Sequence, residues 1–264
     1  MAGDLIAGRY RLLEPLGRGG SWSSVWLADD LELDRRVAVK TLAPAADPTR
    51  FRREARAVAL LAHPNIRALH DYGEDGRTPF IVLEYLSGGS LEELLAPGLP
   101  LADGEVHRIA AGLAAGLRHA HEHGLVHRDL KPANVLFDAD RRPKIADFGI
   151  ARMIDTPSLT EVGTVLGTAS YISPEQAAAV PAGPASDVYS FGVILFRMLT
   201  GRLPFSSRNA MELVRMHRDD EPPAIFALRP DAPPALAAVA AAALGKDPAS
   251  RPSDGAALAR ELAQ

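Results

Sequence analysis

Residues 9 to 42 alternate apolar and polar positions with glycines and acidic residues between, which predicts antiparallel strands joined by hairpins. Leu16-Gly17-Arg18-Gly19-Gly20 falls between two of those strands. From Asp47 to Ala62 the period becomes helical, with Phe51, Ala55, Val58 and Leu61 or Ala62 along one stripe. Pro64 closes that helix, because proline disfavours helical backbone in the residue before it. Two further strands, Leu69 to Tyr72 and Phe80 to Tyr85, flank an Asp75-Gly76 turn. After Leu86-Ser87-Gly88-Gly89-Ser90, whose glycines suggest a flexible crossing, the pattern stays helical. Helices are expected at Leu91 to Leu95, at Asp103 to His123 with Val106, Ile109, Ala110, Leu113 and Leu117 on one face, and from Asp187 to Thr200. The C-terminal part holds a segment from Asn209 to His217 and a proline-rich connection from Glu221 to Pro234. Helices follow at Ala235 to Leu244 and at Ser253 to Leu262, with Ser253 as cap.

The chain therefore reads as α+β: a small β-rich lobe with one helix over about residues 9–85, a crossing at 86–90, and a larger mainly helical lobe over 91–264. At 264 residues and 47% hydrophobic content it can bury a sizeable core. The net charge of -4, from 33 acidic and 29 basic residues, supplies no long-range attraction to nucleic acid or anionic membrane. Without cysteine there is no disulfide, thiol nucleophile or thiolate metal site, which fits a reducing, cytoplasmic setting. The start lacks the basic and apolar regions of a signal peptide, and the longest apolar run, Ala235 to Leu244, is too short to span a bilayer. A soluble chain is expected.

The chemistry concentrates in His127-Arg128-Asp129-Leu130-Lys131-Pro132-Ala133-Asn134. That string offers a proton acceptor in Asp129, cations in Arg128 and Lys131, and a side-chain oxygen in Asn134 suited to a hard metal. Asp147-Phe148-Gly149 supplies a carboxylate where a second metal ligand is expected. Near the N-terminus the glycines at 17, 19 and 20 let backbone amides approach phosphates, and Val37-Ala38-Val39-Lys40 puts a lysine on a following strand. The His119-Ala120-His121-Glu122-His123 run lacks a third ligand at suitable spacing and reads as surface at a helix end.

Together these motifs resemble those of Hanks-type protein kinases, and the string is closest to bacterial serine/threonine kinases, from about Tyr10 to Leu262. The resemblance implies the bilobal kinase fold, ATP and Mg²⁺ (or Mn²⁺) as cofactors, and protein substrates. It also implies a homodimer for autophosphorylation in trans. Lys40 would hold the first two phosphates, paired with Glu54 of the helix. Asp129 would be the catalytic base, Lys131 would steady the γ-phosphate, and Asn134 and Asp147 would bind metal. Leu16, Gly17, Gly19, Gly20, Val25, Ala38 and Leu136 would surround the nucleotide, with Leu83 gating the pocket and backbone groups of Glu84 and Leu86 meeting the adenine edge.

Gly167-Thr168-Ala169-Ser170-Tyr171-Ile172-Ser173-Pro174-Glu175 resembles the substrate-docking segment of that family. There Thr168 would bond Asp129 and Lys131, Glu175 would pair with Arg251, and Asp187 would hold the backbone of the His-Arg-Asp turn. Thr160 and Thr164 are the candidate phosphorylation sites, read by Arg128. One departure is the glycine loop, in which Gly20-Ser21-Trp22-Ser23-Ser24 replaces the family's third glycine and makes the tip bulkier. A small-molecule phosphotransferase shares the lobes and the aspartates but usually lacks a lysine at position 131 and the Ser-Pro-Glu segment. A binding scaffold without activity is the non-enzyme alternative, to which only the altered glycine loop points.

Overall fold

The computed structural model describes residues 3–19, 23–42, 55, 56, 58–76, 78–148 and 169–264, with the backbone alone at 17–19, 23 and 42. Its N-terminal part is an antiparallel sheet of β1 (Leu5–Ile6), β2 (Tyr10–Gly19), β3 (Ser23–Asp30), β4 (Arg35–Leu42), β5 (Leu69–Asp75) and β6 (Thr78–Glu84). The strand order is β1-β2-β3-β4-β6-β5. Strand alternation divides its side chains between two faces. Val37 and Val39 pack with Tyr10, Leu12, Trp26, Ala28, Phe80 and Val82. Ala38, between them, turns to the other face and joins Ile81, Leu83, Val58 and Leu61 in the core shared with the helical part. The same alternation sends Lys40 to the Ala38 side. Val37-Ala38-Val39-Lys40 is thus two aliphatic anchors and one directed cation.

The helical part contains α1 (Leu91–Leu95), α2 (Asp103–Glu122), α3 (Pro174–Ala177), α4 (Pro184–Thr200), α5 (Ala210–Asp219), α6 (Ile225–Leu228), α7 (Pro234–Ala243) and α8 (Gly255–Leu262). A small ladder of β7 (Val135–Phe137) and β8 (Pro143–Ile145) lies against α2. Helix α4 is apolar around most of its circumference and is buried along nearly its whole length. The side chains of α2 and α7 complete the core around it.

The crossing between the parts is tighter than its glycines suggest. The Gly88 amide donates to the Phe137 carbonyl at 2.8 Å. A Cβ on Gly88 would lie 2.5 Å from the Asp138 carbonyl oxygen and 2.7 Å from the Phe137 Cβ, so glycine is required there by close approach. Ser90 then caps α1, accepting the Glu93 amide while Glu93 reaches back to the Ser90 amide.

Several sequence boundaries move. Helix α4 begins at Pro184 in the N1 position, ahead of the expected Asp187, which falls in its first turn. The cap of α8 is Asp254, whose carboxylate accepts the Ala257 amide at 2.8 Å, and not Ser253. Helix α6 occupies part of the proline-rich connection. Residues 43–54, which hold the first half of the expected 47–62 helix, and residue 57 lie outside the described residues, while 55, 56, 58 and 59 are helical. Among the described residues, no helix is long and apolar enough to cross a membrane.

Candidate active site

Asp129 begins with its backbone. The preceding Arg128 has φ of +69°, a left-handed conformation that costs a non-glycine residue about 1–3 kcal/mol unless its surroundings hold it. Asp187, at the start of α4, supplies that hold by accepting the His127 amide at 2.7 Å and the Arg128 amide at 2.8 Å. His121 shares the same carboxylate, its Nε2 lying 2.9 Å from Asp187, and its Nδ1 accepts the Gly255 amide at 3.0 Å. The expectation that the histidine run is surface therefore fails for His121, whose side chain is only 4% exposed. The spacing of the histidines along α2 could not reveal this, because the partners of His121 come from α4 and α8.

The turn continues through a short 3-10 segment, Pro132–Asn134, into β7. Asn134 donates from Nδ2 to the Asp129 carbonyl at 2.8 Å, and Lys131 Nζ sits 2.9 Å from the Asp129 carboxylate. The Asn134 carbonyl accepts the Ala146 amide at 2.8 Å, so the two loops are tied one residue before Asp147. Asp147 is also left-handed, with φ of +59°. Lys40 Nζ reaches its carboxylate at 3.3 Å from the buried side of β4. Burial raises the Asp147 pKa, but Lys40, and after it Arg67, outweigh that effect and hold the carboxyl below its ordinary range.

His127 links the loops a second time. It is fully buried, its Nε2 is 2.9 Å from the Ala146 carbonyl, its Nδ1 accepts the Asp129 amide at 3.2 Å, and its ring meets Phe148 edge-on at 4.8 Å. Sequence reasoning gave His127 no role, and nothing local in the string signals one.

Above the two loops, the sheet and the crossing supply an apolar cleft. Ala38 and Leu83 are cross-strand partners and both are buried, while Val25 pairs with Lys40. Leu136 on β7 pairs with Lys144 and bridges to Ser90, which brings it beside the crossing that carries Leu86. Leu16 is largely exposed on β2, whose backbone runs on through Gly17 and Gly19 opposite Val25 and Ser23. Gly17 and Gly19 thus lie in the strand rather than in a separate loop. Gly20 and Trp22, Glu54, Thr160, Thr164 and Thr168 lie outside the described residues.

Farther down, Glu175 and Arg251 meet in a two-pronged ion pair, Nη1 to Oε1 at 3.0 Å and Nη2 to Oε2 at 2.9 Å, with Ser186 Oγ donating to Oε1 at 2.6 Å. Gln176, next to Glu175, donates to the Arg128 carbonyl at 2.9 Å. That contact ties the start of α3 to the turn before Asp129, and nothing in the sequence pattern signals it.

Residues 10–263 match the protein kinase domain family. The chain belongs to that family. It is 39% identical over 256 residues to the serine/threonine-protein kinase PrkC of Bacillus subtilis, covering 95% of this chain and 39% of the relative. To the serine/threonine-protein kinase PknL of Mycobacterium tuberculosis it is 40% identical over 263 residues, covering 98% and 66%. To PknA of the same species it is 41% identical over 271 residues, covering 99% and 62%. The kinase domain thus spans roughly two fifths to two thirds of the length of these curated relatives. Its architecture is the α+β, bilobal kinase fold.

The donor set of this kinase domain fits a hard divalent cation. Asp147 offers carboxylate oxygens, and because Asn134 commits its Nδ2 to Asp129, the atom it can offer a metal is an oxygen. Among the described residues, no group of three His, Cys, Asp or Glu side chains is arranged to hold a metal.

Proposed function

We propose that this domain transfers the γ-phosphoryl group of ATP to serine or threonine hydroxyls of proteins. The observation that carries the reading is the chain of contacts Lys40–Asp147, Ala146–Asn134 and Asn134–Asp129. In this reading the contacts link a phosphate-binding cation, two oxygen ligands and a proton acceptor. The names of the relatives, serine/threonine-protein kinases, support it.

Phosphoryl transfer needs charge neutralisation and alignment more than covalent help from the protein. Lys40 holds the α- and β-phosphates. Leu83, Ala38, Val25 and Leu136 enclose the base, with Leu16 at the rim, Gly17, Gly19 and Gly20 over the phosphates, and the backbone of Glu84 and Leu86 at its edge. Asn134 and Asp147 would hold Mg²⁺, or Mn²⁺ in its place, which would supply positive charge against the phosphate oxygens. The carboxylate of Asp129 takes the proton of the substrate hydroxyl. As that oxygen bonds to the γ-phosphorus, the bond to the β,γ-bridging oxygen breaks and ADP leaves. Lys131, 2.9 Å from Asp129, offsets the charge on the transferred group. Glu54 is assigned to steady Lys40, and Thr168 to bond Asp129 and Lys131.

The reading extends to regulation. Thr160 or Thr164 is phosphorylated by a second copy of the domain, and Arg128 receives the phosphate through charge-assisted hydrogen bonds. Residues 86–90 act as the hinge between lobes at 9–85 and 91–264, and the domain works in the cytoplasm. Incubation with radiolabelled ATP and Mg²⁺, alone and with a generic basic protein, should label both the domain and the added protein on Ser or Thr. Label appearing only on small amine or hydroxyl acceptors would instead indicate a small-molecule phosphotransferase.

A further inference from the structure

Arg67 is a buried cation that no motif singles out. It is 9% exposed and stands at the back of the cleft, between the strand that enters the metal loop and the crossing. Its amide donates to the Ile145 carbonyl at 2.9 Å, two residues before Asp147. Its Nε donates to the Glu84 carbonyl at 2.8 Å. The surroundings of Glu84 are fixed as well. The Glu84 amide donates to the Ala68 carbonyl at 2.9 Å, the Ala68 amide donates to Glu84 Oε2 at 3.1 Å, and Lys144 Nζ lies 2.8 Å from Glu84 Oε1. The Glu84 side chain is therefore already paired, and the guanidinium of Arg67 serves the backbone oxygen instead.

Burying a guanidinium is costly, and an ordinary apolar residue at this position would avoid the cost. Asp147 and Glu84 are the acidic groups that offset it, and burial still lowers the Arg67 pKa. A carbonyl oxygen accepts two hydrogen bonds. One lone pair of the Glu84 carbonyl is taken by a planar, charged donor, which holds the oxygen in place and leaves the other lone pair for a second donor.

We propose that Arg67 is a positioning residue for base recognition: by holding the Glu84 carbonyl it fixes the acceptor that selects a purine bearing a 6-amino group over one bearing a 6-oxo group. The inference rests on the kinase reading above, in which Glu84 meets the adenine edge. A 6-oxo purine would set oxygen against oxygen at this point, and a rigid acceptor rejects it more strongly than one free to turn away.

The test compares ATP with inosine triphosphate as phosphoryl donor, in wild-type protein and in three variants. Arg67→Met and Arg67→Leu lack a donor and differ in length, so that one can be accommodated if the other disturbs folding. Arg67→Gln keeps an N–H donor without the charge. The expected result is a fall of about fivefold or more in the ATP-to-inosine-triphosphate ratio of kcat/KM for the methionine and leucine variants, and a ratio within about twofold of wild type for glutamine. The change should lie in KM, with kcat for ATP within about threefold. A residue needed only for packing would lower both nucleotides equally. A wild-type ratio retained in the methionine or leucine variant overturns the role of Arg67. Absence of any ATP preference in the wild type overturns the selection at Glu84, whereas absence of transfer overturns the kinase reading instead.

Discussion

The Asp187 carboxylate accepts the Arg128 amide at 2.8 Å and so holds a left-handed residue directly before Asp129. The bond joins the largely buried helix α4 to the turn that carries Asp129. Asp187→Asn leaves one acceptor oxygen where a carboxylate now meets two amides and the His121 ring. The expected outcome is a loss of about 1–3 kcal/mol of stability, with kcat falling further than KM rises. Thermal denaturation and steady-state kinetics on the same preparation check both.

Lys40→Met, Asp129→Asn and Asp147→Asn should each remove most transfer activity. The loss for Asp129→Asn is expected at about 10²- to 10⁴-fold in kcat, the usual worth of a positioned proton acceptor. Asp147→Asn should also lose the Mg²⁺-dependent part of nucleotide affinity, measured by titration with and without the metal. Asp129→Asn transferring at the wild-type rate would remove Asp129 from its role.

Arg251 is fully buried and also donates to the carbonyls of Gly245, Ala185 and Lys246. Removing one partner of such a pair strands the other, so Arg251→Met should cost about 3–5 kcal/mol. Chemical denaturation measures it. A loss under 1 kcal/mol would mean that Glu175 finds water or another donor.

His217 predicts an acid limit to stability. It is fully buried beside Tyr189, whose hydroxyl lies 3.0 Å from Nδ1, while Lys246 Nζ donates to the His217 carbonyl at 2.7 Å. Burial first, and then Lys246, push its pKa down to about 4 from 6.5. The folded state therefore binds fewer protons than the unfolded chain in that interval. Stability is complete above about 6.5 and falls as the pH drops toward 4, by about 2 kcal/mol at pH 5. His217→Gln should flatten the pH dependence of the melting temperature between 7 and 5, read by calorimetry.

Local patterns carried most of the elements and the reactive string. Strand alternation in residues 9–42 and the helical period of 103–123 were legible because each records one buried face against one solvated face. Asp129 and Asn134, five residues apart, stood out as candidates through their close spacing, with Asp147 thirteen residues on, while Lys40, 107 residues before Asp147, stood out only through the Val37-Ala38-Val39-Lys40 pattern that resembles the family. Strands β7 and β8, three residues each, carry too little pattern to be seen, and α6 is a single turn inside a proline-rich stretch.

The sequence by itself determined which groups are the candidates for chemistry and roughly where helix replaces strand, since both follow from neighbours along the chain. Only the tertiary structure decided what holds those groups. His121 reads as an exposed helix end until Asp187 and the Gly255 amide close around it. His127 joins two loops through Ala146 and Phe148, and Arg67 passes for a surface arginine until the Glu84 carbonyl claims its Nε. In each case the partner lies far away in sequence, and burial turns an ordinary polar side chain into one that must be satisfied there.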